Sequence, residues 1–143
     1  KNPHRFFMII VGWNNENRMK INVKDYKNVL VVPPQENVAE IYSYSRLVLI
    51  PSQLEEAFGR VHFEAAMNKI PAIVSARGGL KDYFCGNGVL VDDYTNPEAW
   101  QTALEFLDNE ENYQEAVEKT RTLHKDSSLE SQVDTLIKTL KSV

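Results

Sequence analysis

Five short apolar runs, each stopped by glycine, proline or a polar cluster, constrain this 143-residue chain more than any other feature. They are Phe6–Val11 before Gly12, Val29–Val32 before Pro33-Pro34, Leu47–Ile50 before Pro51-Ser52, Ala72–Ser75 before Ala76-Arg77-Gly78-Gly79, and Gly88–Val91 before Asp92-Asp93. Short continuous apolar runs without alternation are what strands look like when helices cover both faces. Helical patterns lie between several of them. Glu36–Tyr44 places Val38, Ile41 and Tyr42 on one face, and a second helix opens at Phe58 or Gly59 and runs through Asn68. Strands alternating with helices predict an α/β fold: a Rossmann-like three-layer sandwich with a mostly parallel sheet of about five strands and right-handed crossovers.

The end of the chain is expected to be helical. Thr95-Asn96-Pro97-Glu98 has Thr and Glu at capping-box spacing, with proline at the first helical position. Trp100, Ala103, Leu104 and Leu107 follow as an apolar stripe. Ser127-Ser128-Leu129-Glu130 repeats the capping pattern ahead of Val133, Leu136, Ile137 and Leu140, a stripe expected to pack on the domain's own sheet. Residues 13–27 are polar and read as a loop. No repeat or linker interrupts the chain, so one domain is expected over residues 1–143. It opens so close to a central strand that it reads as a partial domain.

Composition narrows the function classes. With 43% hydrophobic and 25% charged residues, the chain has the means to build a core and to bury about two-thirds of its unfolded surface. No apolar run approaches the ~20 residues of a membrane span. The opening Lys1-Asn2-Pro3-His4 runs into Phe6–Val11 without a small-residue cleavage site, unlike a signal peptide. One cysteine, Cys85, excludes an internal disulfide and a cysteine-based zinc site, and fits a reducing, cytoplasmic setting. The net charge is −4, with +2 over residues 1–60 and −6 over residues 61–143. No basic stripe stands out, which disfavours nucleic acid as a partner.

Ligands of open parallel sheets bind beyond the carboxyl ends of the strands. The richest such stretch is Pro51–Ala65. Gly59 stands where a helix begins, so free amides and the helix dipole there suit a phosphate. Glu56 precedes this helix and Glu64 lies two turns into it among Val61, Phe63, Ala65, Ala66 and Met67. A carboxylate in so apolar a helix needs a donor. Ligand hydroxyls are one source; a solvent-facing position or a nearby arginine is the plainer reading. Gly78-Gly79 is either an amide nest or simply a turn. Arg60 is either a diphosphate ligand or a surface arginine. His62, Tyr42, Tyr44, Trp100 and Phe106 read as packing residues, and Cys85 has no evident activating cation.

These segments together have a family likeness. Pro51-Ser52, Glu56-Ala57-Phe58-Gly59-Arg60-Val61-His62-Phe63-Glu64-Ala65, Ile70–Ser75, Gly78-Gly79 and Gly88–Val91 resemble the donor half of retaining glycosyltransferases of family 4, which have the GT-B fold. Glu56 and Glu64 match the family's E-x7-E motif, Asn96-Pro97-Glu98-Ala99 resembles the start of its next helix, and Phe6–Gly12 resembles its earlier strand ending in glycine. The resemblance runs from about residue 6 to 108.

What the resemblance implies is transfer of a sugar from a nucleoside diphosphate sugar to an acceptor hydroxyl, with no resident metal or cofactor. Glu56 is then the catalytic-site carboxylate that contacts donor-sugar hydroxyls beside the anomeric carbon. Phe58, Gly59, Arg60 and Val61 belong to the stretch that holds donor sugar and phosphates, with Gly12 and Gly78-Gly79 as further backbone approaches. Glu64 takes the ribose hydroxyls, and Val32 and Pro33 meet the base. Asp82 stands where the family has Glu after its glycine pair. The family's basic Arg/Lys pair sits on an earlier strand–helix unit, and its acceptor, a saccharide or lipid, binds an N-terminal domain; this sequence contains neither. A donor-binding half inactive by itself is therefore expected, with peripheral membrane contact open for a longer protein. An epimerase or phosphorylase relative, or a non-catalytic nucleotide-binding module, fits the same residues. A receiver module does not, for Gly12-Trp13-Asn14-Asn15 has no acidic pair, and a dinucleotide-binding dehydrogenase would need a G-x-G-x-x-G that is absent.

Overall fold

The computed structural model describes residues 4–10, 23–126, 133–134, 137–139 and 141. The chain forms two compact units, Lys1–Ile41 and Tyr42–Val143.

The first unit is built on two parallel strands, β1 (Phe7–Ile10) and β2 (Val29–Val32), in the register Phe7 opposite Val29 through Ile10 opposite Val32. The start of the ladder is fixed by Asn28: its carbonyl accepts from the Phe7 amide at 2.8 Å and its side chain donates to the Arg5 carbonyl at 2.7 Å. The strands fall where the apolar runs predict, but not buried on both faces as expected. Phe6, Met8 and Ile10 alternate outward, with Leu30 beside Met8 across the ladder, and all four are exposed. This is the period of two of a strand with one open face. Gly12 and most of the expected polar loop lie outside the described residues.

A seven-residue helix, α1 (Val38–Tyr44), leads into the second unit. There β3 (Val48–Ile50), β4 (Ala72–Ser75) and β5 (Gly88–Val91) pair in parallel in that order. The strands are therefore parallel, as expected, but they form sheets of two and three rather than one of about five, because the pairing joins β1 to β2 and, separately, β3 to β4 to β5. β4 is central and buried along its whole length.

The alternation of β4 divides the core. Ile73 joins Val91 with Ala103, Leu104, Leu107 and Ala116, whereas Ala72 and Val74 join Ile50 and Leu80. The first set is covered by α4 (Pro97–Asp108) and α5 (Glu110–Asp126), and the second holds Leu80 from the short α3 (Gly79–Asp82). With helices on both faces, this unit is the expected three-layer α/β arrangement. The remaining helix, α2 (Arg60–Met67), packs on β3, β4 and α5 through buried His62, Ala65 and Ala66.

Three local expectations change. The start of α4 is capped by Asn96 rather than Thr95: the Asn96 Oδ1 accepts from the Glu98 amide at 3.0 Å, which puts Pro97 in the first turn where its missing N–H costs nothing. The stretch expected as a loop over Ala76–Gly79 ends in α3, which begins at Gly79. Helix α5 has no counterpart in the sequence reading. Among its described side chains, Tyr113, Ala116, Val117 and Thr120 form the inward stripe at helical spacing, but alanine and threonine make half of it, so the apolar signal is faint. Its start was nonetheless marked, since Asn109 Oδ1 accepts from the amides of Glu111 at 2.9 Å and Asn112 at 3.1 Å. Of the last expected stripe, Val133 and Ile137 are exposed rather than covered, while Leu136, Leu140 and the Ser127–Glu130 cap lie outside the described residues.

Candidate functional site

In the second unit the carboxyl ends of β3 and β4 deliver two segments that meet backbone to backbone. From β3 comes the 51–59 loop, and from β4 the turn at Gly78-Gly79. The Gly79 amide donates to the Glu56 carbonyl at 2.6 Å. A side chain on Gly79 would stand 2.4 Å from the Ala57 carbonyl oxygen and 2.7 Å from the Phe58 nitrogen, and one on Gly78 would stand 2.8 Å from the Glu56 oxygen. The glycine pair is thus the seat on which the Glu56 loop rests, and the Gly79 amide is already occupied by that loop.

The loop ends in Gly59, buried and left-handed at φ 77° and ψ 55°, a conformation that glycine adopts without a Cβ penalty. No side chain caps α2, and the Gly59 carbonyl accepts from the Phe63 amide at 3.2 Å. The helix start thereby keeps amides and the positive end of its dipole for an outside acceptor. Arg60, the first residue of the helix, is exposed, as are Phe58 and Val61. Phe58 is no lone loop residue: its ring lies 5.5 Å from Phe63 and 4.9 Å from Tyr83, making a small aromatic cluster beside the helix start.

The two glutamates differ in surroundings. Glu56 is half-buried, and among the described residues no hydrogen bond or ion pair engages its carboxylate. Glu64 has two neighbours. The Tyr42 hydroxyl donates to Oε2 at 3.0 Å, and Arg60 Nη2 stands 3.6 Å from Oε1. Arg60 is the expected nearby arginine, but its side chain is 86% exposed and the contact is long, so it contributes a few tenths of a kcal/mol at most. Tyr42 is the stronger partner, and sequence reasoning gave it only a packing role. Burial first, then the hydrogen bond and charge of Glu64, push its phenol well above the ordinary range, so it is a proton donor at any working pH.

Behind Glu64 on the same helix, His62 faces inward as a packed histidine. It is 2% exposed, its Nε2 lies 2.8 Å from Asn87 Oδ1, and its ring is 5.5 Å from that of Phe84. The Cys85 thiol donates to the same Asn87 oxygen at 3.1 Å. Burial lowers the His62 pKa, which the Asn87 contact partly offsets, and burial raises that of Cys85. Neutral His62 therefore donates through Nε2–H. A further cation escaped the sequence reading. Arg77, two residues past β4, donates through Nη1 to the Tyr94 hydroxyl at 2.5 Å and stands 3.7 Å from Glu55 of the loop. Nothing in the local sequence joins these residues; only the parallel order of β3, β4 and β5 does.

Val32 ends β2 in the first unit and Pro33 follows it, half-buried and exposed respectively, with the Pro33 carbonyl accepting from Gln35 at 2.7 Å. Gly12 lies outside the described residues. Thus Glu56, Phe58, Gly59, Arg60, Val61, Glu64, Gly78 and Gly79 come together in one unit. No group of three or more potential metal ligands occurs among the described residues, and no helix there is long and apolar enough to cross a membrane.

The profile of a known family, "Glycosyl transferases group 1", matches residues 1–123. The chain belongs to the group 1 glycosyltransferases. Among curated relatives, a D-inositol 3-phosphate glycosyltransferase of Corynebacterium kroppenstedtii is 33% identical over 93 residues, covering 64% of this chain and 20% of that protein. Spore coat protein SA of Bacillus subtilis is 25% identical over 114 residues, covering 70% of this chain and 30% of that protein. The group 1 chain thus spans a fifth to a third of these relatives. Among solved structures it resembles a glycosyltransferase from Rickettsia africae ESF-5, with TM-score 0.72 at 15% identity over 96% of this chain and 40% of that one. It also resembles Anabaena Alr3699/HepE in complex with UDP, with TM-score 0.70 at 15% identity over 99% of this chain and 42% of that one. These likenesses establish the fold, an α/β arrangement shared with GT-B glycosyltransferases.

Proposed function

We propose that this group 1 chain is the donor-binding half of a retaining, family 4 type glycosyltransferase, binding a nucleoside diphosphate sugar whose glycosyl group passes to an acceptor hydroxyl. The observation that carries the reading is the placement of Glu56 and Glu64 on either side of the uncapped, glycine-led start of α2. An Anabaena protein of like fold has been solved with UDP and glucose, which supports a sugar nucleotide as ligand class.

In this reading the diphosphate lies at the start of α2, where amides, dipole and the exposed Arg60 meet its charge. Glu64 takes the ribose hydroxyls. Glu56, with its carboxylate unengaged, orients the donor sugar. The chemical task is to stabilise negative charge growing on the diphosphate as an oxocarbenium-like sugar forms, and preorganised amides are suited to that. Glu56 is a positioning carboxylate here, not a nucleophile, and the reaction needs no resident metal. The acceptor, a saccharide or lipid, is held outside this chain, which alone binds donor without transferring sugar.

The test is an NMR titration of the chain with UDP, GDP and ADP, repeated on Glu64→Ala. Saturable shifts centred on Gly59 for one nucleotide, weakened in the variant, are expected and would name the base. Absence of shifts with all three at millimolar concentration would refute donor binding by this chain. Turnover of sugar nucleotide without transfer by a longer protein would point to the epimerase class instead.

A further inference from the structure

Glu64 is held from two sides by unequal partners. Arg60 lies one turn away on the same helix, exposed and 3.6 Å distant. Tyr42 reaches it from α1, twenty-two residues away, at 3.0 Å and from a partly buried position. A contact between different elements fixes a side chain against the fold, whereas a neighbour on the same helix moves with it.

We infer that Tyr42 is a positioning residue that fixes the Glu64 carboxylate in the orientation from which it accepts both hydroxyls of a donor ribose. This deepens the function proposed above and rests on it. An ionised carboxylate has about four acceptor positions on its two oxygens. Tyr42 uses one on Oε2, leaving positions on both oxygens for a vicinal diol, which donates two hydrogen bonds. The Glu64 side chain is 36% exposed, so a ligand can reach it while Tyr42 holds one of its oxygens. Tyrosine suits the task because its phenol is protonated at neutral pH and donates from a partly buried position, and because the Tyr42→Phe change removes only that oxygen. The consequence is discrimination by sugar: this site selects ribonucleotides over nucleotides that lack the 2′ and 3′ hydroxyls.

The experiment compares binding of whichever of UDP, GDP and ADP binds best with that of its 2′,3′-dideoxy counterpart, in the wild-type chain, Tyr42→Phe and Glu64→Ala. The wild type is expected to prefer the ribonucleotide, and Glu64→Ala to erase the preference. Tyr42→Phe should narrow the preference by roughly three- to tenfold, the worth of one misplaced hydrogen bond, while leaving dideoxy binding unchanged. A merely structural Tyr42 would weaken both ligands equally, which overturns the inference. If Glu64→Ala erases the preference and Tyr42→Phe retains it, the inference alone fails. If the wild type shows no preference, or binds neither nucleotide, the ribose assignment fails and the inference with it. A readout without nucleotide tests the pairing: the side-chain carboxyl NMR resonance of Glu64 should shift in Tyr42→Phe, and an unshifted resonance overturns it.

Discussion

Replacing Gly79 by alanine sets two physical rules against each other. Gly79 is the first residue of α3 and its φ is not positive, so by intrinsic helix propensity Gly79→Ala should stabilise the protein by about 0.5–1 kcal/mol. The packing opposes this. The new Cβ would lie 2.4 Å from the Ala57 oxygen, 2.6 Å from the Ala57 carbonyl carbon and 2.7 Å from the Phe58 nitrogen, all backbone atoms that cannot swing aside. To restore ordinary contact near 3.4 Å, the 51–59 loop must retreat by about 1 Å, a shift in the range that costs about 1–3 kcal/mol in packed interiors. The retreat also stretches the 2.6 Å bond from the Gly79 amide to the Glu56 carbonyl, for about 0.5–1.5 kcal/mol more. Less the propensity gain, the net expectation is a loss of about 0.5–4 kcal/mol. Urea unfolding at pH 7 measures it, and NMR shifts should change at Glu56, Ala57 and Phe58. Donor affinity should fall, because the same movement displaces Glu56. A variant as stable as wild type, with unshifted loop resonances, would refute the seat assigned to the glycine pair.

Two further outcomes follow from the same unit. His62 is buried with its pKa lowered, so the unfolded chain takes up a proton before the folded one does; stability contributed by neutral His62 is fully present above its unfolded pKa of about 6.5 and is lost as pH falls below it toward the depressed folded value. Urea midpoints measured from pH 7.5 to 5 should fall, and His62→Gln should flatten that slope; an equal slope in the variant would rule His62 out as its source. Asn109→Ala removes the acceptor for the amides of Glu111 and Asn112 and should cost about 1 kcal/mol in stability, read as a lower urea midpoint at unchanged m-value.

Local signals carried the elements that stand on their own chemistry. The runs Val29–Val32, Ala72–Ser75 and Gly88–Val91 are strands with the bounds their composition suggests, because each is mainly apolar and bounded by glycine, proline or polar residues. Where a short-range choice had two acceptable answers, the sequence could not decide. Thr95 and Asn96 both cap well, Pro97 falls in the first turn with either, and it is Asn96 that caps the helix. Helix α5 carried a fainter signal: Tyr113, Ala116, Val117 and Thr120 are wholly or partly buried at helical spacing behind the Asn109 cap, but two of the four are small or polar.

The candidate site divides along the same line. The glutamate pair, the left-handed glycine and the exposed arginine all lie within one nine-residue stretch, so their spacing carries them. The parts that fix their geometry do not. Gly79 seats Glu56 from the next strand's turn, Tyr42 holds Glu64 from the preceding helix, and Arg77 reaches Tyr94 across the β4–β5 pair. The first and last of these contacts follow from the parallel order of β3, β4 and β5, and the second joins two helices, so all three are tertiary rather than sequential. It follows that substitutions at Gly79 and Tyr42 should alter the behaviour of Glu56 and Glu64 without touching a ligand. A site whose motif residues are contiguous and whose supports are remote can be recognised from the motif, but its geometry is fixed by residues the motif does not contain.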